Sequence, residues 1–347
     1  MAGGLAVSNL PKVTFGIVNC NRLYYLKSCL ESLIFCTKSY ENKELIVVDN
    51  ASIEEGTSEY LDEIEKNGII VVRQKKRDPS NEFAKALNII SEIATGEYIC
   101  PLQGDMQFIV RGPWLEEYVR YFQKHGNNIG CISLDAQRKI TIRRRSPYGV
   151  FDKDELDNHF RFFIEPKRPP ISGAADVMYS KEIIKKIYPW NVNNSSHEGG
   201  DDSETAMLKK IEDLVRSSDL KDVFFISPQI PVSVAIQTDS RGTNARVRGT
   251  KRYGDYWPAK KDFRYYEIFE IEDLISSCDK NSPPLAIDDL AKGVEWNVPK
   301  DELGNWLKNP IQPESASIND YVDLEISNKP PEDSLSPDYL SEWLDDE

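Results

Sequence analysis

Short apolar runs and helically periodic stretches alternate through the first hundred residues. Residues 12–19 (KVTFGIVN) are a β-branched run that ends in polar side chains, and 24–35 (YYLKSCLESLIF) carry apolar residues at helical spacing. Residues 44–49 (ELIVVD) are apolar and closed by an acid; 57–65 read as helix and 68–73 (GIIVVR) as strand. Residues 82–94 (EFAKALNIISEIA) predict a strongly periodic helix with Gly96 as its C-cap, and 98–102 (YICPL) a fourth strand. Short continuous apolar runs flanked by helices predict a parallel sheet buried on both faces. The pattern is that of a nucleotide-binding α/β half of the doubly wound type, in which ligands sit at the carboxyl ends of the strands.

The pattern continues less regularly. A helix over 114–125 and a strand over 129–134 precede a stretch, 138–170, rich in charge, proline and aromatics that reads as an irregular excursion. Residues 172–179 (SGAADVMY) predict a small-residue strand, 181–187 and 202–215 helices, and 223–226 and 232–237 strands. Residues 239–251 (DSRGTNARVRGTK) read as a polar, mobile loop and 263–276 as an amphipathic helix. After Pro283 an acidic appendage begins, with helices expected over 287–292 and 300–308 and partial disorder over the last thirty residues. The domain reading is therefore a body over 1–280, with halves 12–110 and 111–280, and an extension over 281–347. No internal repeat is visible.

Charge sharpens this division. The 347 residues carry 57 acidic and 43 basic side chains, a net charge of −14, and residues 288–347 alone contribute −12 of it. The body is close to neutral, which argues against general nucleic-acid binding, since that needs a clustered basic surface. No apolar run approaches the length of a membrane span, and the first eleven residues lack the basic and apolar regions of a signal peptide. None of the six cysteines (Cys20, Cys29, Cys36, Cys100, Cys131 and Cys278) forms a CxxC pair, which fits free thiols in a reducing cytoplasm. Cys29 and Cys36 could share a helix face, so a disulfide between them stays as the alternative. The expected location is cytoplasmic, with peripheral association at the inner face of the membrane left open.

The usual phosphate-binding loops are missing. After the first strand the sequence runs Gly16, Ile17, Val18, Asn19, Cys20, Asn21, Arg22, with no G-x-G-x-x-G, and no G-x-x-x-x-G-K-[ST] occurs anywhere. Phosphates must be held another way, and a divalent cation is the obvious one. Acids stand at three places where such a sheet gathers them. Asp49 closes the second strand in IVVDNAS, Asp105 follows the fourth in PLQGDMQF, and Asp201 and Asp202 precede a helix in HEGGDDSETAM. Each has a plain alternative reading, as a turn residue or a helix N-cap; their joint arrangement is more specific than any one of them.

With these motifs the chain resembles the inverting glycosyltransferases of family 2, which have the GT-A fold. The resemblance spans roughly residues 12–240 and rests on FGIVNCNRLYYLKSCLESL, ELIVVDNAS, NEFAKALNIISEIATGEYICPLQGD, SGAADVMYSKEI and GGDDSETA. It implies a Rossmann-like nucleotide-sugar-binding half joined to an acceptor-binding half. It assigns Asp49 to the nucleotide base and the turn after the fourth strand to the D-x-D motif, whose second acid ligates Mn²⁺ or Mg²⁺. Here that motif reads Gln103, Gly104, Asp105, so a Gln replaces the first acid and Asp105 is the metal ligand. Nucleotide-contact candidates are Asn19, Asn21, Arg22, Asp49, Asn81, Lys85, Gln103 and Gly104. The acid pair before the helix supplies the base, with Asp202 preferred and Asp201 beside it or hydrogen-bonded to the acceptor.

The chemistry explains the residue types. A hard cation with oxygen ligands neutralises a diphosphate leaving group, and inversion needs a carboxylate to take the proton of the attacking hydroxyl. Weaker candidates for the diphosphate or acceptor are Gly173 and Ala174, in a small-residue run through Asp176 expected under the sugar and acceptor; His197, equally readable as a chance loop histidine; and Arg241 and Arg246, more readily a solvated basic face. The expected partners are a nucleotide-diphosphate sugar, UDP favoured, and a glycan or lipid-linked glycan of a bacterial surface polysaccharide. A peripheral membrane or protein partner and the oligomeric state stay open. Two other readings are carried: a non-catalytic nucleotide-sugar or glycan-binding relic, since Gln103 breaks the acid pair and no late histidine occurs, and a nucleotidyltransferase, against which stands the lack of a Gly-rich loop.

Overall fold

A computed structural model describes residues 10–21, 23–78, 80–134, 149–150, 162–164, 175–192, 201–217, 219–220, 222–235 and 268–277. The acidic extension, with the helices expected in it, and the stretch 239–251 lie outside the described residues. The first half runs β1 (Val13–Asn19), α1 (Leu23–Cys36), β2 (Lys43–Asp49), α2 (Thr57–Lys66), β3 (Ile70–Arg73), α3 (Glu82–Ile93) and β4 (Tyr98–Gln103). Short strands β5 (Met106–Phe108) and β6 (Val110–Arg111) follow, then α4 (Trp114–His125), β7 (Ile129–Ser133), β8 (Gly149–Val150) and β9 (Phe162–Ile164). The second half continues with β10 (Val177–Ser180), α5 (Lys181–Ile187), α6 (Asp201–Arg216), β11 (Phe224–Pro228), β12 (Ser233–Ala235), β13 (Phe269–Glu270) and α7 (Ile271–Ser277).

The main sheet has the order β3-β2-β1-β4-β10-β7-β11-β9-β8. β1 pairs in parallel with β2 on one side and β4 on the other, and β2 pairs in parallel with β3. β10 enters antiparallel between β4 and β7, while β11 lies parallel to β7. The expected α/β architecture with a mostly parallel sheet is what the chain adopts.

The alternation of side chains along each strand (period two) explains why both faces are covered. From β1, Val13, Phe15 and Ile17 join a buried cluster with α1, α2 and α4, whereas Val18 joins a second cluster with α3, α5 and α6. β4 divides likewise: Cys100 and Leu102 face the first cluster and Ile99 the second. α3 lies unusually close to β1. A Cβ built on Gly16 would stand 2.2 Å from Cγ2 of Ile90, so only a residue without a side chain lets the helix dock there.

Several boundaries depart from the sequence reading. The strand expected over 172–179 begins only at Val177, because Asp176 takes a left-handed conformation (φ 57°). The helix expected over 263–276 is, among the described residues, a short helix Ile271–Ser277 entered through a two-residue strand. Phe269 is drawn into that strand by pairing with Val110, its backbone N–H donating to Ile109 O at 2.8 Å. The strand expected over 232–237 is, among the described residues, Ser233–Ala235, and its antiparallel partner β5 was not foreseen, since three residues carry no readable period. Cys20, Cys29, Cys36, Cys100 and Cys131 are free thiols and buried; Cys278 lies outside the described residues.

Candidate active site

The parallel register brings the chemistry-bearing residues to one edge. Asn19 stands opposite Asp49 across β1 and β2, and Val18 stands opposite Gln103 across β1 and β4. Three polar strand ends therefore lie side by side at the carboxyl end of the sheet, where open α/β sheets place ligands.

The first two strand ends are laced together. Asn19 Nδ2 donates to Asp49 Oδ1 at 2.8 Å, and the Ser52 backbone N–H donates to Asp49 Oδ2 at 2.9 Å. The Ser52 hydroxyl also donates to Asp49, and it accepts from the Asn21 backbone N–H at 2.6 Å. Asn21 Oδ1 in turn accepts from the N–H groups of Ile53 and Glu54 at 2.8 and 3.2 Å. The Asp49 carboxylate is thus 4% exposed and forms the turn cap that an Asp followed by Asn, Ala and Ser favours. Ser52 was not singled out from sequence; the D-x-x-S spacing was the available signal. The loops after β1 and β2 form one fixed ledge.

The third strand end is the Gln103–Gly104–Asp105 turn. A Cβ on Gly104 would lie 2.8 Å from Val18 O and 3.9 Å from Asn19 Oδ1, so this turn is pressed onto the end of β1 beside the ledge. Asp105 is partly exposed. Beneath the turn sits Cys29, whose thiol points toward the Gln103 carbonyl at 3.9 Å. Burial pushes that thiol well above its ordinary range, and the carboxylates of Asp176 and Asp105 push it further. The thiol is therefore a neutral packing group beneath two acids.

Asp176 is the residue whose contacts the sequence did not disclose. It is 3% exposed, its Oδ1 accepts from the Gln103 backbone N–H at 2.9 Å, and its Oδ2 accepts from Gln103 Nε2 at 3.2 Å. Its own backbone is fixed on both sides, its N–H donating to Pro101 O at 2.8 Å and its carbonyl accepting from Leu134 N at 3.1 Å. Asn21 (φ 51°), Ala51 (φ 53°) and Asp176 (φ 57°) are the left-handed non-glycine residues among the described residues, and all three stand at strand ends of this edge. Backbone strain of this kind persists where surrounding bonds over-determine it.

The remaining candidates are placed less fully. Asn81 precedes α3 with its amide toward the Asp78 carboxylate at 3.3 Å, and Lys85 is ion-paired with the same Asp78. Asn88, further along α3, grips the Trp190 backbone in both directions, at 3.0 and 2.7 Å. Asp201 and Asp202 are the first two residues of α6; their side chains lie outside the described residues, as do Arg22, Gly173, Ala174, His197, Arg241 and Arg246.

For a divalent cation, the described residues offer Asp105 and the oxygens of its turn. No group of three His, Cys, Asp or Glu side chains that could hold a metal ion occurs among the described residues. That still fits Mg²⁺ or Mn²⁺ bound with a substrate, because such ions commonly use one or two carboxylates and take their other ligands from water and phosphate oxygens. The donor set is hard oxygen, as those ions require.

Several known proteins are similar to this chain. Over 122 residues the chain is 31% identical to the protein called uncharacterized protein y4gI from Sinorhizobium fredii, a match covering 35% of this chain and 13% of that one. Among solved structures, the mannosyltransferase PcManGT from Pyrobaculum calidifontis, solved with GDP-Man and Mn²⁺, is similar at 20% identity. That match covers 70% of this chain and 62% of PcManGT, with a TM-score of 0.46. GalNAc-T7, solved with UDP, GalNAc and Mn²⁺, is similar at 17% identity over 65% of this chain and 43% of that one, with a TM-score of 0.44. S. aureus TarS 1-349 is similar at 15% identity over 58% and 55% of the two chains, with a TM-score of 0.41. The family model described as Glycosyl transferase family 2 matches residues 14–188, from β1 through Tyr188 just after α5, and the chain belongs to that family.

Proposed function

We propose that this chain is an inverting glycosyltransferase that moves a sugar from a nucleoside-diphosphate sugar to a carbohydrate hydroxyl. The observation that carries the reading is the convergence of Asp49 and the Gln103–Asp105 turn on the strand ends either side of β1 in a family 2 chain. Residues 1–280 form the catalytic body in this reading, and 281–347 an appendage.

Each residue then has a task. The ledge of Asn19, Asn21, Asp49 and Ser52 receives the nucleotide, Asp49 accepting from a ring N–H of the base; uracil, thymine and guanine all offer one, and a UDP-sugar is the favoured donor as the commonest in the family. Arg22, Asn81 and Lys85 are assigned to nucleotide contacts in this reading. Asp105 holds the divalent cation, whose contribution is to neutralise charge developing on the diphosphate. At the other side of the anomeric carbon, Asp202 takes the proton of the acceptor hydroxyl as its oxygen bonds to that carbon. The bond from carbon to the diphosphate oxygen breaks with its electron pair, so nucleoside diphosphate leaves and the configuration inverts. Asp201 orients the acceptor.

Gly173, Ala174, His197, Arg241 and Arg246 complete the acceptor and diphosphate surroundings. The acceptor is a glycan or lipid-linked glycan of a bacterial surface polysaccharide, met at the inner face of the membrane. No helix among the described residues is long and apolar enough to cross a membrane, so that encounter is peripheral in this reading.

A thermal-shift panel of UDP-glucose, UDP-N-acetylglucosamine, GDP-mannose and dTDP-glucose, each with and without Mn²⁺, tests it. A ligand that binds the native state raises Tm. The expected result is a Mn²⁺-dependent rise with a UDP-sugar, together with slow release of UDP. Binding without any release or transfer would favour the relic; no rise with any member would sink the proposal.

A further inference from the structure

The family motif places an acid where this chain has Gln103, and the acid that approaches this position in space arrives from residue 176. Asp176 meets Gln103 through two hydrogen bonds, 2.9 Å to the backbone N–H and 3.2 Å to the side-chain amide. A carboxylate only accepts, so it can face the NH₂ end of the Gln103 amide and not its oxygen. Holding one end of a planar amide fixes the other. Asp176 is itself a rigid support: it is 3% exposed, left-handed, and tied by its backbone to Pro101 and Leu134. Gln103 by contrast is partly exposed at the strand end, beside Gly104 and Asp105.

From this geometry we infer that Asp176 is a positioning residue that locks the Gln103 amide with its NH₂ group toward the protein and its oxygen toward the bound donor. The inference rests on the transferase reading above and deepens it. Position 103 thereby offers a hydroxyl of the donor an uncharged hydrogen-bond acceptor, while the negative charge stands one residue deeper, in Asp176. The site keeps two acids near the turn, Asp105 and Asp176, although the motif itself has one. An unsupported amide at the same place would rotate freely and present its donor end half of the time, which a sugar hydroxyl tolerates but does not select. Specificity at such a contact comes from fixing which end is offered.

The orientation is testable by exchanging the two groups. Asp176→Asn keeps the shape and the bond to the Gln103 backbone, but its own NH₂ then faces the Gln103 side chain. Gln103 must turn its oxygen inward and show its NH₂ to the donor. In Asp176→Asn/Gln103→Glu, the carboxylate introduced at position 103 accepts from the amide introduced at position 176 and again presents an oxygen outward. Gln103→Glu alone sets two carboxylates against each other. The four proteins are titrated calorimetrically with whichever sugar nucleotide of the panel binds the wild type, and their Tm values are recorded.

The expected result is that Asp176→Asn weakens donor binding by about tenfold or more, the worth of one hydrogen bond facing the wrong way in a shielded site. Its Tm stays near the wild-type value. The double variant is expected to recover most of that affinity, a coupling that a purely structural role for Asp176 does not produce. Asp176→Asn binding the donor like the wild type, or a double variant no better than Asp176→Asn, would overturn the inference. Should Asp176→Asn not fold, the wild type still decides. The Gln103 side-chain NH₂ resonances, identified by their loss in Gln103→Glu, must be protected from solvent exchange, and free exchange would overturn it. A wild type that binds no member of the panel instead removes the transferase reading, and this inference with it.

Discussion

At the scale of single residues, the site is a set of acids with different neighbours and hence different tasks. Asp49 is held by Asn19 and Ser52, which leaves Oδ2 with room for a further donor, so it is pre-shaped before any ligand arrives. Asp105 is partly exposed in a turn pressed against β1. Both positions were legible in the sequence, because an acid closing an apolar run must fall at a strand end. The Asp176–Gln103 contact was not legible. It joins residues 73 apart, and it depends on a left-handed residue that interrupts what reads as a continuous strand. The base is argued from its place at the start of α6 and the family motif. Asp202→Asn is expected to lower transfer by roughly 10²–10⁴-fold, the usual worth of a general base, while calorimetry finds donor affinity unchanged. Retained transfer would remove Asp202 from that role.

At the scale of elements, the alternation in β1 and β4 explains why helices cover both faces and why α3 settles so closely. Gly16→Ala is expected to destabilise by about 1–3 kcal/mol, the usual cost of overpacking, because the new methyl meets the branch atoms of Ile90 at 2.2 and 2.8 Å. Urea unfolding measures it, and adding Ile90→Ala, which removes those atoms, should recover part of the loss. Helix α1 carries a second handle. Burial, with help from Glu63 and against Lys27, raises the Glu31 carboxyl from 4.5 to about 7. A raised acid binds its proton more tightly when folded, so the contribution of Glu31 to stability is fully present below about pH 4.5 and is lost as pH rises through about 7. Glu31→Gln should therefore raise Tm at pH 8 by about 2–4 °C, the shift worth about 1 kcal/mol in a domain of this size, with no gain at pH 4.5. An equal gain at both values would contradict the assignment. The elements that escaped sequence reading, such as β5, β6 and β13, are two or three residues long and are defined only by the strands they pair with.

At the scale of the whole molecule, a near-neutral body carries a tail with most of the net charge. The family match ends at residue 188, far before that tail. Truncation after Pro283 is accordingly expected to leave donor binding and Tm unchanged, read by calorimetry and thermal unfolding; lost transfer with kept donor binding would place part of the acceptor site in the extension. Both the fold and the strand-end acids follow from periodicity and register, whereas donor identity depends on side chains whose partners the sequence order does not reveal. The proposed reaction is single-displacement transfer from a nucleotide sugar. NMR of a reaction holding the full chain, Mn²⁺, the bound UDP-sugar and a glycan acceptor follows it directly. Single displacement requires stoichiometric UDP release and a product whose anomeric configuration is opposite to that of the donor. A product of retained configuration, or none with any nucleotide sugar that binds, would contradict it.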